Sequence, residues 1–82
     1  MRDTQELLDG VTLDAAGRPV RFRRQNRLHV VTAQIDDWRA GGRWWLDEPS
    51  RDCWLVQAGQ LTVEIHHEDA PLGRWWLARV QD

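Results

Sequence analysis

Apolar and polar residues alternate with a period of two along most of this chain, and no stretch sustains a helical period. Val11 and Leu13 alternate with polar neighbours, and Asp14-Ala15-Ala16-Gly17 then reads as a turn. Val20 and Phe22 alternate with Arg21 and Arg23, the pattern of a half-buried strand. Gln25-Asn26 makes a tight reversal, with Asn26 able to take the left-handed conformation a hairpin turn needs. The returning strand, Leu28 to Trp38, is the longest. Its alternation slips midway, from Leu28/Val30 to Val31/Ala33/Ile35, which predicts burial on both faces or a bulge.

Arg39-Ala40-Gly41-Gly42 reads as a loop, Arg43 to Leu46 as a short aromatic segment, and Asp47 to Arg51 as another turn. A strand with apolar residues on both faces follows from Cys53 to Gln57, then a tight turn at Ala58-Gly59. Leu61, Val63 and Ile65 alternate cleanly with Thr62, Glu64 and His66, and Arg74 to Val80 forms the last strand. Residues 1–10 read equally well as a loose N-terminus or a short strand, because Gly10 ends any helical turn too early. The expected fold is all-β, an antiparallel meander of five to six short strands curled into a small barrel or a strongly bent sheet. The 82 residues suffice for one domain, 1–82, with no second core.

Composition adds a tension to this picture. Six tryptophans occur, four of them in the adjacent pairs Trp44-Trp45 and Trp75-Trp76. In a strand, neighbours point to opposite faces, so each pair would send one indole into the core and one to the far side. A domain of this size buries only about 60% of the surface its unfolded chain exposes. One indole of each pair, Trp45 and Trp75, is therefore the candidate for contact with a partner. The tetrapeptide Arg-Trp-Trp-Leu occurs twice, at Arg43 to Leu46 and Arg74 to Leu77, which suggests a similar local role.

The net charge of −2 hides an uneven spread. Every basic residue is arginine, and Arg18, Arg21, Arg23, Arg24 and Arg27 fall in a stretch without an acid, whereas the chain from Trp44 onward is net acidic. Arginine forks onto carboxylates and phosphates and stacks on indoles, which makes Arg21, Arg23, Arg24 and Arg27 the candidate contact residues for a protein partner or a single nucleic-acid strand. The acidic overall balance weighs against strong non-specific DNA binding. A lone cysteine, Cys53, excludes an internal disulfide and fits a reducing cytoplasm. No apolar run is long enough to span a membrane, and the N-terminus lacks the apolar region of a signal peptide.

Little in the chain points to catalysis. Cys53 falls in a strand expected to be buried. His66 and His67 are adjacent, so in a strand they face opposite ways and do not share a metal ion. Ser50 follows Pro49 in a turn with no oxyanion motif around it, and no glycine-rich phosphate loop is present. No cofactor is implied, and an enzyme is not expected.

The run Gly17-Arg18-Pro19-Val20-Arg21-Phe22, the basic hairpin, Val30-Val31, Trp38-Arg39 and Trp44-Trp45 resemble, in order and spacing, a small bacterial protein family. The likeness continues through Arg51-Asp52-Cys53-Trp54 and ends in Gly73 to Asp82, with Trp75, Leu77, Val80 and Asp82 at matching positions. A similar segment closes the polymerase-like subunit of the bacterial mutasome, an inactive relative of Y-family translesion polymerases. This chain departs from the pattern at Arg24-Gln25-Asn26-Arg27 and Leu28-His29, where the family has an Arg-Gly-Arg-like turn followed by Tyr, and at Cys53-Trp54, where it has an aromatic pair. The resemblance implies association with DNA repair or damage tolerance and brings no catalytic residues. The function expected is a non-enzymatic interaction module whose protein partner would be a repair polymerase or mutasome component. Direct binding of single-stranded nucleic acid is the alternative, and homodimerisation through an aromatic face stays open.

Overall fold

Two places where the chain changes sheets account for most of the difference between the expected strand count and the observed one. The computed structural model describes residues 2–71 and 73–81. It contains eight strands: β1 Arg2–Leu8, β2 Gly10–Leu13, β3 Pro19–Arg24, β4 Arg27–Val30, β5 Ala33–Ala40, β6 Arg51–Ala58, β7 Leu61–Glu68 and β8 Trp75–Gln81. A single 3-10 turn, Trp44–Leu46, lies between β5 and β6. The strands form a five-stranded sheet ordered β1-β8-β7-β6-β5 and a three-stranded sheet ordered β2-β3-β4, with every pairing antiparallel. The all-β antiparallel reading therefore holds, but no closed barrel is found among the described residues. No helix among them is long and apolar enough to cross a membrane.

The slip in alternation after Val30 marks the first crossing. Val31 N–H still donates to Val20 O of β3 (2.9 Å), whereas Thr32 N–H donates to Gln57 O of β6 (2.7 Å). One residue later the chain belongs to the other sheet. Gln34 Nε2 reaches back to Pro19 O at 2.9 Å and ties the corner. The second crossing is Asp9, between β1 on β8 and β2 on β3. The N-terminal segment is thus a paired strand from Arg2 to Leu8 and not a loose tail.

The turns follow their sequence chemistry. Asp14 Oδ1 accepts from the backbone N–H of Ala16 and Arg18, both at 2.9 Å, and Gly17 takes φ 82°. Gln25 and Asn26 both sit at positive φ, 52° and 62°, which a two-residue type I′ hairpin requires. The β6–β7 turn falls on Gly59-Gln60, one residue later than expected, because Gly59 is the position that must take positive φ (65°).

The core lies between the sheets. Leu8, Phe22, Val56, Ala58, Val63, Ile65, Leu77 and Val80 form one buried cluster, with Val11, Val31, Trp54, Leu61 and Trp75 packed against it. The alternation of β7 places Leu61, Val63 and Ile65 inside as expected. Ala78 has no partner in the β7 register, which jumps from Glu64↔Arg79 to Ile65↔Leu77. The bulge bends β8 and keeps Leu77 and Val80 both on the inner face.

Candidate functional site

The basic hairpin presents two different sides. Arg21 and Arg23 point away from the core, in register with Val30 and Leu28 of β4. Phe22 points inward, 1% exposed, and stacks on His29 with ring centroids 5.1 Å apart. Leu28 and Val30 are 64% and 54% exposed. The outer surface of the small sheet therefore combines two arginines with two bare aliphatic side chains. Arg24 and Arg27 pair across the turn on the opposite side.

The hairpin arginines differ in what holds them. Arg24 is half-buried and its Nε donates to Glu6 Oε2 at 2.6 Å. Arg23 crosses Gly10 and pairs with Asp9 at 3.5 Å, and Arg18 pairs with Asp14 at 3.1 Å. Among the described residues Arg21 and Arg27 have no carboxylate at ion-pair distance. The structure thus brings Arg21 and Arg23 together on one face, and assigns Arg24 to bracing β3 against β1.

The tryptophan pairs are not alike. Trp44-Trp45 lies in the 3-10 turn, not in an extended segment, because Leu46 N–H bonds back to Arg43 O at 2.9 Å. Trp45 is 64% exposed; the Trp44 side chain lies outside the described residues. Trp75-Trp76 is extended, and the two indoles do face opposite ways, but Trp75 is the inner one. It stacks between Trp54 (5.5 Å) and His67 (4.1 Å). Trp75 is therefore a packing residue and not an outward one, and the two Arg-Trp-Trp-Leu segments do different jobs. The ring partners of Trp75, Trp54 and His67, belong to the large sheet and not to the basic hairpin.

A second constellation was not foreseen. The outer face of the large sheet carries a row across four strands, Trp38, Cys53, His66 and Trp76, in successive register. Arg51 and Arg74 lie over the Trp76 ring with guanidinium carbons 5.2 and 5.3 Å from its centroid. Arg74 Nε donates to Glu68 at 2.6 Å, and this hydrogen bond holds the buried Glu68 carboxyl below its ordinary range. Trp76 Nε1 is buried without a hydrogen-bond acceptor at bonding geometry, although its N–H also favours the Glu68 carboxylate. Arg51 donates from one nitrogen to Gln5 Oε1 and faces His66 Nδ1, both at 3.2 Å.

That geometry fixes the His66 tautomer. An arginine only donates, so Nδ1 accepts and the proton sits on Nε2, which donates to Glu64 Oε2 at 2.6 Å. Burial lowers the His66 pKa, against the opposing pull of Glu64, and keeps the ring neutral. Cys53 is fully buried and burial pushes its thiol up, which makes it inert at neutral pH. His66 and His67 face opposite sides of β7, as their adjacency requires. No group of three or more potential metal ligands occurs among the described residues. The sequence signal for this face was period-2 spacing of Arg51 and Cys53 on β6 and of Glu64, His66 and Glu68 on β7, hidden because Arg51 stood in an expected turn.

No protein-family model, curated protein or solved structure matches the chain.

Proposed function

We propose that the protein is a non-enzymatic interaction module that engages a protein partner through the outer face of its three-stranded sheet. The observation that carries this reading is the side-by-side exposure of Arg21, Arg23, Leu28 and Val30. Protein interfaces combine arginine with apolar anchors, and this face offers both within one register. The partner surface is one that offers carboxylates around an apolar patch. Exposed Trp45 is a second anchor on a different element.

Single-stranded nucleic acid binding is the weaker reading. Arg21 and Arg27 lack carboxylate partners among the described residues, but no aromatic ring is exposed on the hairpin, since Phe22 is buried and His29 stacks beneath it. A strand-binding groove needs stacking platforms as well as cations. A role in bacterial DNA repair or damage tolerance, with a repair polymerase or mutasome component as partner, is proposed on the sequence resemblance alone, and a cytoplasmic location on the lone Cys53.

Affinity capture with the intact protein and with an Arg21→Glu/Leu28→Asp double variant tests the main reading. The expected result is a captured protein lost from the folded double variant. Equal capture by both proteins excludes this face. Titration with a labelled oligothymidylate tests the other reading: binding at low salt with a steep salt slope would favour nucleic acid over protein.

A further inference from the structure

A cavity of about 560 Å³ opens between the loop 41–50 and the β6–β8 end of the large sheet. Its size falls in the range of small-molecule sites, about 300–1,000 Å³. Gly41, Gly42 and Arg43 line one side, and Arg51, Arg74 and Gln5 line another. We propose that this cavity binds a small oxyanion, the carboxylate or phosphate group of a low-molecular-weight ligand, with Arg51 as the anchoring group. The proposal goes beyond the protein-binding reading and concerns a different surface.

The charges on the wall are mostly spoken for. Arg43 pairs with Glu48 through Nε at 3.0 Å and through a second, shorter contact, and Arg74 pairs with Glu68. Asp47 is the remaining carboxylate on the lining and is exposed. Arg51 is the exception among the cations. It is half-buried, yet no carboxylate among the described residues lies at ion-pair distance from it. Its partners are neutral acceptors, the Gln5 amide and His66 Nδ1 at 3.2 Å, and the Trp76 face. These contacts orient the guanidinium, while Glu48 and Glu68 act on it without a direct ion pair.

A half-buried guanidinium whose carboxylates, Glu48 and Glu68, act on it only from beyond ion-pair distance is an oriented fork with room for two further oxygens. Arg43 and Arg74 line the same cavity. The loop is built to hold its wall in place: a Cβ on Gly42 would run into the carbonyl oxygens of Glu48 and Pro49, so only glycine allows that closure.

The test is a titration of isotope-labelled protein with inorganic phosphate, pyrophosphate and citrate, followed by amide and arginine Nε chemical shifts. The expected result is saturable movement of Gly41, Gly42, Arg43 and Arg51 in the millimolar range or tighter. Affinity should drop at least about tenfold in Arg51→Gln, and should be unchanged in Arg21→Glu. Phosphate without citrate identifies a phosphate site, and the converse a carboxylate site. Shifts centred on Arg21 and Arg27, or no saturation with any of the three anions, overturn the proposal. Mapping on the wild-type chain decides the matter even if Arg51→Gln does not fold.

Discussion

At the scale of single residues, Trp45 and Trp75 make the sharpest contrast. Trp45 lies on a 3-10 turn with most of its surface in solvent, whereas Trp75 is wedged between Trp54 and His67 over the core. Truncating Trp75 opens a void against the core cluster, and Trp75→Ala should cost about 3–5 kcal/mol. Trp45→Ala should change stability by less than about 0.5 kcal/mol. Urea unfolding of the two variants checks this, and equal midpoints would refute the assignment. Acrylamide quenching should likewise lose more of its accessible fraction in Trp45→Phe than in Trp75→Phe. Adjacent tryptophans read identically in a sequence, and the period-2 rule applies only where the chain is extended. The Trp75-Trp76 split was legible for that reason, but which indole faced inward depended on the β8 bulge at Ala78, and the Trp44-Trp45 turn depended on the loop's closure around Gly42.

At the scale of elements, β5 is the unusual strand. Among the described residues it pairs only with β6, and all of its residues but the last are exposed, including Ile35 and Trp38. A free, flat edge with apolar residues is a template for another chain. Two features blunt it: the register shift at Ile35, which bends the strand, and the consecutive acids Asp36 and Asp37, which put charge on both faces. Asp36→Val/Asp37→Val should therefore convert the edge into a self-association site, seen as concentration-dependent mass by light scattering. A mass unchanged across the accessible concentration range would show that the bulge alone protects the edge. The hairpin at Gln25-Asn26 carries a complementary prediction. Both residues sit at positive φ, where a side chain other than Asn or Gly costs about 1 kcal/mol. Gln25→Asn/Asn26→Gly should raise stability by about 1 kcal/mol in thermal or urea unfolding. The strands themselves were legible in the alternation, down to the slip after Val30. The slip could be read as a bulge, but not as a change of sheet, because that depends on Gln57 arriving from elsewhere in the chain to take Thr32.

At the scale of the whole molecule, the ionisable groups with shifted pKa values act together on acidification. His66 is half-buried on the outer face of the large sheet with Glu64, Arg51 and Arg79 acting on it, and desolvation dominates, so its folded pKa lies below 6.5. Between that value and 6.5 the unfolded chain binds more protons than the folded one, and stability falls as pH falls. Protonation would also place an N–H on Nδ1 facing Arg51, which offers only donors. The second stage comes from carboxylates held low: Glu68 by Arg74, Glu48 by Arg43, and Asp14 by the backbone N–H of Arg18. Their contribution is present above the unfolded values, 4.5 for the glutamates and 3.8 for Asp14, and is lost as pH drops through the lower folded values. Asp14 and Glu48 make surface pairs that contribute little, so buried Glu68 should dominate this stage. Urea midpoints measured from pH 8 down to about pH 3 should hold level, decline below about pH 6.5, and decline again near and below about pH 4.5. His66→Gln should remove the first decline and leave the second, whereas Glu68→Gln should be less stable at neutral pH and show a weaker second decline. A first decline that survives in His66→Gln would place the acid sensitivity elsewhere and break the link between the half-buried imidazole and the arginine held beside it.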